Sequence, residues 1–147
     1  LRTVLWVAGC SHHCPQCHNP VTWDINGGLV FDEQAKEELF EELKKDYVSG
    51  VTFSGGDPFH LENREEIGAL AKEIREKFPD KTIWLYTGYE WEEICHLSFL
   101  SNIDVIVDGK FKIEEKDNNL HWKGSANQRV IDVKASLRAG EVRLYQE

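Results

Sequence analysis

The chain has 147 residues, a formal charge of −9 and 41% hydrophobic residues, enough for one domain with a real core. The acidic balance and the dispersed Lys and Arg exclude a nucleic-acid surface, because neutralising phosphates needs a basic face. The apolar blocks are too short and too interrupted by charge to span a bilayer, and no stretch reads as a signal peptide, so the expected setting is cytoplasmic, where thiols stay reduced.

The elements alternate strand and helix, which favours a parallel sheet with crossover helices. Arg2 to Ala8 reads as the first strand, and the loop after it carries Cys10, Cys14 and Cys17. From Asp32 to Tyr47, Ala35, Leu39, Leu43 and Tyr47 recur at near-helical spacing with Glu and Lys between them, predicting an amphipathic helix. Val51 to Ser54 is a strand that stops at Gly55-Gly56-Asp57-Pro58; glycines there admit positive φ and close ligand approach, although the same string also makes an ordinary tight turn. Asn63 with Glu66 predicts a capping box opening a helix whose buried stripe is Ile67, Leu70, Ala71, Ile74 and Phe78. Thr82 to Thr87 and Ile103 to Val107 follow as strands, with a short helix over Glu90 to Leu97. The tail predicts a strand at Arg129 to Val133, a helical turn near Ala135 to Ala139 and a last strand at Val142 to Tyr145. No repeat or linker divides the chain, so residues 1–147 form a single domain. Cys95, near Trp91 and Ile94, is expected to be a buried thiol, and Trp84, Trp91 and Trp122 are expected in the core or an interface.

Three thiols spaced C-x3-C-x2-C are an odd set that internal disulfides cannot consume. They can hold three irons of a [4Fe-4S] cluster and leave the fourth open for chemistry. Other readings stand beside this one. Cys14-Pro15-Gln16-Cys17-His18 is a C-x-x-C-H string of the kind that attaches haem; no Met is present as a second axial ligand, although five other histidines could serve, and Cys10 would then have no role. Zinc could be held by the three Cys with His12, His13 or His18. A thioredoxin-like dithiol would use Cys14 and Cys17 and leave Cys10 idle.

With the cysteine loop and the Gly-Gly-acid strand end both present, the chain resembles the radical S-adenosylmethionine (SAM) enzymes. Within them it resembles the activating proteins of anaerobic ribonucleoside-triphosphate reductase. The blocks that carry the second resemblance are Ile83-Trp84-Leu85-Tyr86-Thr87-Gly88-Tyr89, Asp104-Val105-Ile106-Val107-Asp108-Gly109-Lys110-Phe111 and Trp122-Lys123-Gly124-Ser125-Ala126-Asn127-Gln128-Arg129, which run in the family's order. The resemblance implies an α/β fold, an incomplete, open β/α barrel of radical SAM type with its ligand site at the carboxyl ends of the strands. It implies that Cys10, Cys14 and Cys17 bind a [4Fe-4S] cluster and that SAM chelates the open iron. The backbone at Gln16, Cys17 and His18 would meet adenosine, Gly55 and Gly56 the methionine part, and Asp57 its ammonium. Asp108 and Lys110 would help place SAM or a cation near its carboxylate, an arrangement that a turn with one satisfied carboxylate explains equally well. Asn127, Gln128 and Arg129 would touch SAM or the partner, or simply form a surface turn. The implied partners are the large subunit of anaerobic ribonucleoside-triphosphate reductase, which would receive a glycyl radical, and an external flavodoxin-like one-electron donor.

Some positions depart from the family. Gln16 stands where many radical SAM enzymes have an aromatic residue and the reductase activators more often have Gly, and Lys123 stands where Arg is usual. The chain opens at Leu1 within the first strand, and the resemblance leads us to expect a short Asn-Gly-Pro-Gly-type preamble ahead of it. Two further functions fit the same cysteines: activation of another glycyl-radical enzyme or small-molecule radical SAM chemistry, and a non-catalytic zinc or redox module.

Overall fold

The computed structural model describes residues 2–7, 33–55, 57–59, 63–110, 123, 125 and 127–145. The fold is α/β. Strands β1 (Arg2–Val7), β2 (Gly50–Gly55), β3 (Thr82–Tyr86), β4 (Val105–Asp108) and β5 (Arg129–Asp132) form one sheet in the order β1-β2-β3-β4-β5. The first four are parallel and β5 runs antiparallel to β4. The sheet is open, since β1 and β5 are its two edges and do not pair with each other.

Parallel neighbours require crossovers, and the helices supply them. Helix α1 (Glu33–Leu43) precedes β2, α2 (Arg64–Lys77) precedes β3, and α3 (Trp91–Ile94) with a 3-10 turn at Ser98–Asn102 precedes β4. Alternate strand residues Val51, Phe53, Ile83, Leu85, Ile106 and Ile131 are fully buried in one cluster with Leu39, Leu43, Ile67, Ala71, Ile74 and Leu100. Ile67, Leu70, Ala71 and Ile74 of the expected stripe are therefore the core face of α2, while Phe78 falls just past the helix as its C-cap and is only partly buried. Glu65 and Glu66 sit in the first turn of that helix and Arg75 and Lys77 in its last, as the helix dipole favours.

Several boundaries differ from the sequence reading. Helix α1 stops at Leu43, and Tyr47 is exposed rather than part of its buried face. The stop has a cause: Lys81 donates from its Nζ to the carbonyls of Lys45 (3.0 Å) and Val48 (2.6 Å), turning the chain toward β2. Asn63 does not form the expected capping box, because its Nδ2 donates to the Asp57 carbonyl at 3.3 Å and its side chain makes no cap bond. The reciprocal box forms instead at Glu90 and Glu93 of α3. The Val142 to Tyr145 segment makes only one bridge, Leu144 to Ile131, although Tyr145 N also donates to the Val130 carbonyl at 2.8 Å. Between it and β5 lies helix α4 (Val133–Ala139), capped by the Asp132 side chain and closed by Gly140 at φ 72°. Cys95 is exposed, not buried: α3 ends at Ile94, so only Trp91 and Ile94 reach the core and the thiol turns outward.

Two glycines are fixed by opposite constraints. A Cβ on Gly50 would lie 2.0 Å from the backbone oxygen of Thr82, whereas one on Gly140 would meet open space but sits at positive φ. Gly50→Ala is expected to cost about 3 kcal/mol, as overpacking against backbone does, and Gly140→Ala about 1 kcal/mol from left-handed strain; urea denaturation midpoints of the two variants check the order.

Candidate functional site at the carboxyl rim of the sheet

Because β1 to β4 are parallel, Val7, Gly55, Tyr86 and Asp108 all finish on one edge of the sheet. Val7 pairs with Gly55, so the strand that precedes the cysteines in sequence and the strand that precedes Gly56 end side by side. The three cysteines, Gln16, His18, Gly56 and Trp122 lie outside the described residues. Among the described residues no group of three or more His, Cys, Asp or Glu could hold a metal ion.

The described part of the rim is built around two buried carboxylates. Asp57 is 1% exposed. Its Oδ1 accepts from Phe59 N at 2.9 Å and from the Thr87 hydroxyl at 2.7 Å, and its Oδ2 accepts from Gly88 N at 3.0 Å. The turns after β2 and β3 are thereby joined. The Thr87 hydroxyl also accepts from Tyr89 N at 3.2 Å, and the Tyr89 carbonyl accepts from Gly109 N at 2.9 Å, which extends the link to the end of β4.

Asp108, also 1% exposed, is held differently. Its Oδ2 accepts from Trp91 N at 2.8 Å, at the start of α3, and from Arg129 Nη2 at 2.5 Å; its Oδ1 accepts from Arg129 N and Nε. Arg129 reaches onward to Glu92 at 2.8 Å. The hydrogen bonds that Arg129 donates to Asp108 and then to Glu92 push the guanidinium above its ordinary range, and the Arg129 hydrogen bond is the main cause that holds the Glu92 carboxyl below its own. Of the two open readings of Asp108, a satisfied carboxylate in a turn is what the described geometry contains. Lys110 is exposed, next to Gly109 at φ 93°.

Asn127 and Gln128 brace that turn from the other strand. Asn127 Nδ2 donates to the Lys110 carbonyl at 2.8 Å and Gln128 Nε2 to the Gly109 carbonyl at 2.9 Å. Ser125 and Lys123 in turn hold these two residues, with Ser125 Oγ to Asn127 Oδ1 at 2.6 Å and Lys123 Nζ to the Gln128 carbonyl at 2.9 Å. The rim thus brings together Gly55, Asp57, Thr87, Gly88, Asp108, Gly109, Lys110 and Arg129. Thr87 and Arg129 as carboxylate partners were not legible beforehand, since no local spacing links residues 57 and 87 or 108 and 129. Trp91 is buried in the core, while Trp84 is half-buried and packs edge-on against Tyr145 with ring centroids 5.3 Å apart. An open cleft of about 620 Å³ lined by Ala135, Arg138, Val142 and Leu144 lies beyond the end of β5, on the edge of the sheet away from the rim.

The family described as 4Fe-4S single cluster domain matches residues 1–131. The chain is 44% identical over 129 residues to the anaerobic ribonucleoside-triphosphate reductase-activating protein of Enterobacteria phage T4, covering 88% of this chain and 82% of that protein. Proteins of the same name from Haemophilus influenzae and Escherichia coli (strain K12) are each 39% identical over 133 residues, covering 88% of this chain and 86% of theirs. No solved structure matches the chain. The chain belongs to the family of anaerobic ribonucleoside-triphosphate reductase-activating proteins, within the 4Fe-4S single cluster class.

Removing the guanidinium leaves the buried Asp108 carboxylate without its counter-charge, held only by the backbone N–H groups of Trp91 and Arg129. Arg129→Ala is therefore expected to cost about 3–5 kcal/mol, while Glu92→Ala, at the exposed end of the network, costs less than about 1 kcal/mol. The depressed Glu92 carboxyl stabilises the fold fully above its ordinary value of 4.5 and loses that contribution as pH falls through the lower folded value. Glu92→Gln should accordingly flatten the loss of stability on the acid side of pH 4.5, seen in chemical denaturation repeated across that range.

Proposed function

We propose that this chain is a radical SAM activase, which cleaves SAM reductively and places a glycyl radical on anaerobic ribonucleoside-triphosphate reductase. The observation that carries the reading is the meeting, on one rim, of the strand end that leads into three cysteines and the strand end that carries the glycine pair. Membership of the activating-protein family supports the target and the chemistry. The open parallel sheet with crossover helices is compatible with an incomplete β/α barrel of radical SAM type, which we adopt as the architecture.

The donor set fits the cluster. Three thiolates from one loop saturate three irons and leave one for a small chelating ligand, whereas a haem or dithiol reading leaves Cys10 unused. Cys10, Cys14 and Cys17 would hold the [4Fe-4S] cluster. Bound together, the cluster and SAM would supply one-electron reductive cleavage of a carbon–sulfur bond and so the radical chemistry needed at the target glycine.

The chain's own residues bind and orient. The backbone at Gln16, Cys17 and His18 would take the adenosine end and that at Gly55 and Gly56 the methionine end, where the absence of Cβ allows close approach. Lys110, exposed on a turn braced by Asn127 and Gln128, would offer its ammonium to the SAM carboxylate, and Asp108 would hold the base of that turn from behind. Holding the reactants in register is the protein's main contribution to such a reaction, since the cofactors carry the bond chemistry. The electron would come from an external flavodoxin-like donor.

Anaerobic iron and sulfide reconstitution should give about four irons per chain and, with dithionite and SAM, 5′-deoxyadenosine. Cys10→Ala, Cys14→Ala and Cys17→Ala should each abolish SAM cleavage, while Cys95→Ala, at an exposed position, keeps its iron content. A glycyl radical spectrum on adding the reductase large subunit completes the assignment; stoichiometric zinc with no iron would replace it with a metal-binding module.

A further inference from the structure

The carboxylate of Asp57 stands where the resemblance implies a contact to the SAM ammonium, yet its surroundings give it other work. We propose that Asp57 is a positioning residue: with Thr87 it latches the turn after β2 to the turn after β3, fixes the course of the backbone at the glycine pair, and does not itself pair with SAM. The inference rests on the SAM reading above and narrows the role of one residue within it.

An aspartate has about four acceptor sites. At least three donors of the chain's own fold occupy them here: the backbone of Phe59, the hydroxyl of Thr87 and the backbone of Gly88. With 1% of the residue exposed, no open lone pair faces solvent for a ligand ammonium. Two of the three donors come from the strand-end turn of β3, so the carboxylate joins segments that the chain separates by thirty residues.

The link continues in both directions. The Thr87 hydroxyl gives its proton to Asp57 and accepts from Tyr89 N, and the Asp57 carbonyl accepts from Asn63 Nδ2 just before α2. Charge-assisted hydrogen bonds of this kind are stronger than neutral ones, which suits a carboxylate to the task better than an amide. Because Asp57 follows the glycine pair directly in sequence, the bonds to its side chain anchor the residue next to the backbone that would meet the methionine end of SAM.

The test is a double-mutant cycle read in two ways. Asp57→Asn keeps an oxygen for Thr87 but turns an amide donor toward Gly88 N, and Thr87→Val keeps the volume of Thr87 while deleting its hydroxyl. Equilibrium binding of SAM to the reconstituted protein should weaken by roughly tenfold in each single variant. The double variant should be no weaker than the worse single one, and Thr87→Ser should bind like the parent. The same losses should appear with a SAM analogue that lacks the α-amino group. The second reading needs no cofactor: amide hydrogen exchange at Gly88 should accelerate in Asp57→Asn before any reconstitution.

The proposal is overturned if Thr87→Val binds SAM like the parent while Asp57→Asn does not, with the loss vanishing for the deaminated analogue. Unchanged Gly88 exchange in Asp57→Asn also overturns it, whatever binds. Failure of the reconstituted parent protein itself to bind SAM would instead sink the reading beneath the proposal, and the exchange result would still judge the latch.

Discussion

Parallel pairing from β1 to β4 is the constraint on which the rest of this molecule depends. Strands that run the same way must be joined by crossovers, so the helices are drawn onto the sheet, and their apolar stripes become the core. The same direction sends four strand ends to one edge. Turns that are far apart in the chain are thereby gathered into a narrow strip, and whatever chemistry the protein performs there is assembled from short pieces rather than from one continuous segment.

Such a strip has a polar problem, because strand ends expose backbone donors while the adjacent core excludes water. Two aspartates solve it here in different ways. Asp57 accepts from backbone and hydroxyl donors, whereas Asp108 takes a helix-start N–H together with a full guanidinium. A buried carboxylate without partners would be strongly disfavoured. With partners it ties the turns to one another more rigidly than apolar packing can, since each bond has a direction. The rim is thus ordered by side chains whose chemistry resembles that of ligand-binding residues while their geometry faces inward.

That distinction explains what the chain made legible and what it did not. The stripe of Ile67, Leu70, Ala71 and Ile74 declares itself through a period of 3.6, and each of the five strands of the sheet lies within two residues of its expected place because apolar blocks end in polar turns, whereas the last expected strand, Val142 to Tyr145, makes a single bridge. Local chemistry was less reliable where two outcomes share one spacing. Tyr47 continued the period of α1 but fell beyond a stop imposed by Lys81, more than thirty residues away in sequence. Asn63 matched a capping box but spent its amide on Asp57. The cysteine triplet suggests a metal set in the sequence because thiols that close have few other uses, but it lies outside the described residues. The roles of Asp57 and Asp108 were not, because Thr87 and Arg129 become their partners only once the sheet has formed.

Reversal of β5 gives the chain between β4 and β5 a distinctive rooting. β4 delivers its end to the rim, and β5, running the other way, delivers its beginning there, so both roots of the intervening segment stand side by side. Asn127 and Gln128 clasp those roots by holding the carbonyls of Lys110 and Gly109. Once two ends are clasped, the entropy of closing the stretch between them grows only with the logarithm of its length. The sheet therefore offers two fixed anchors at its carboxyl rim, between which a stretch of one length could stand in for another at little entropic cost while the β4–β5 ladder keeps its register.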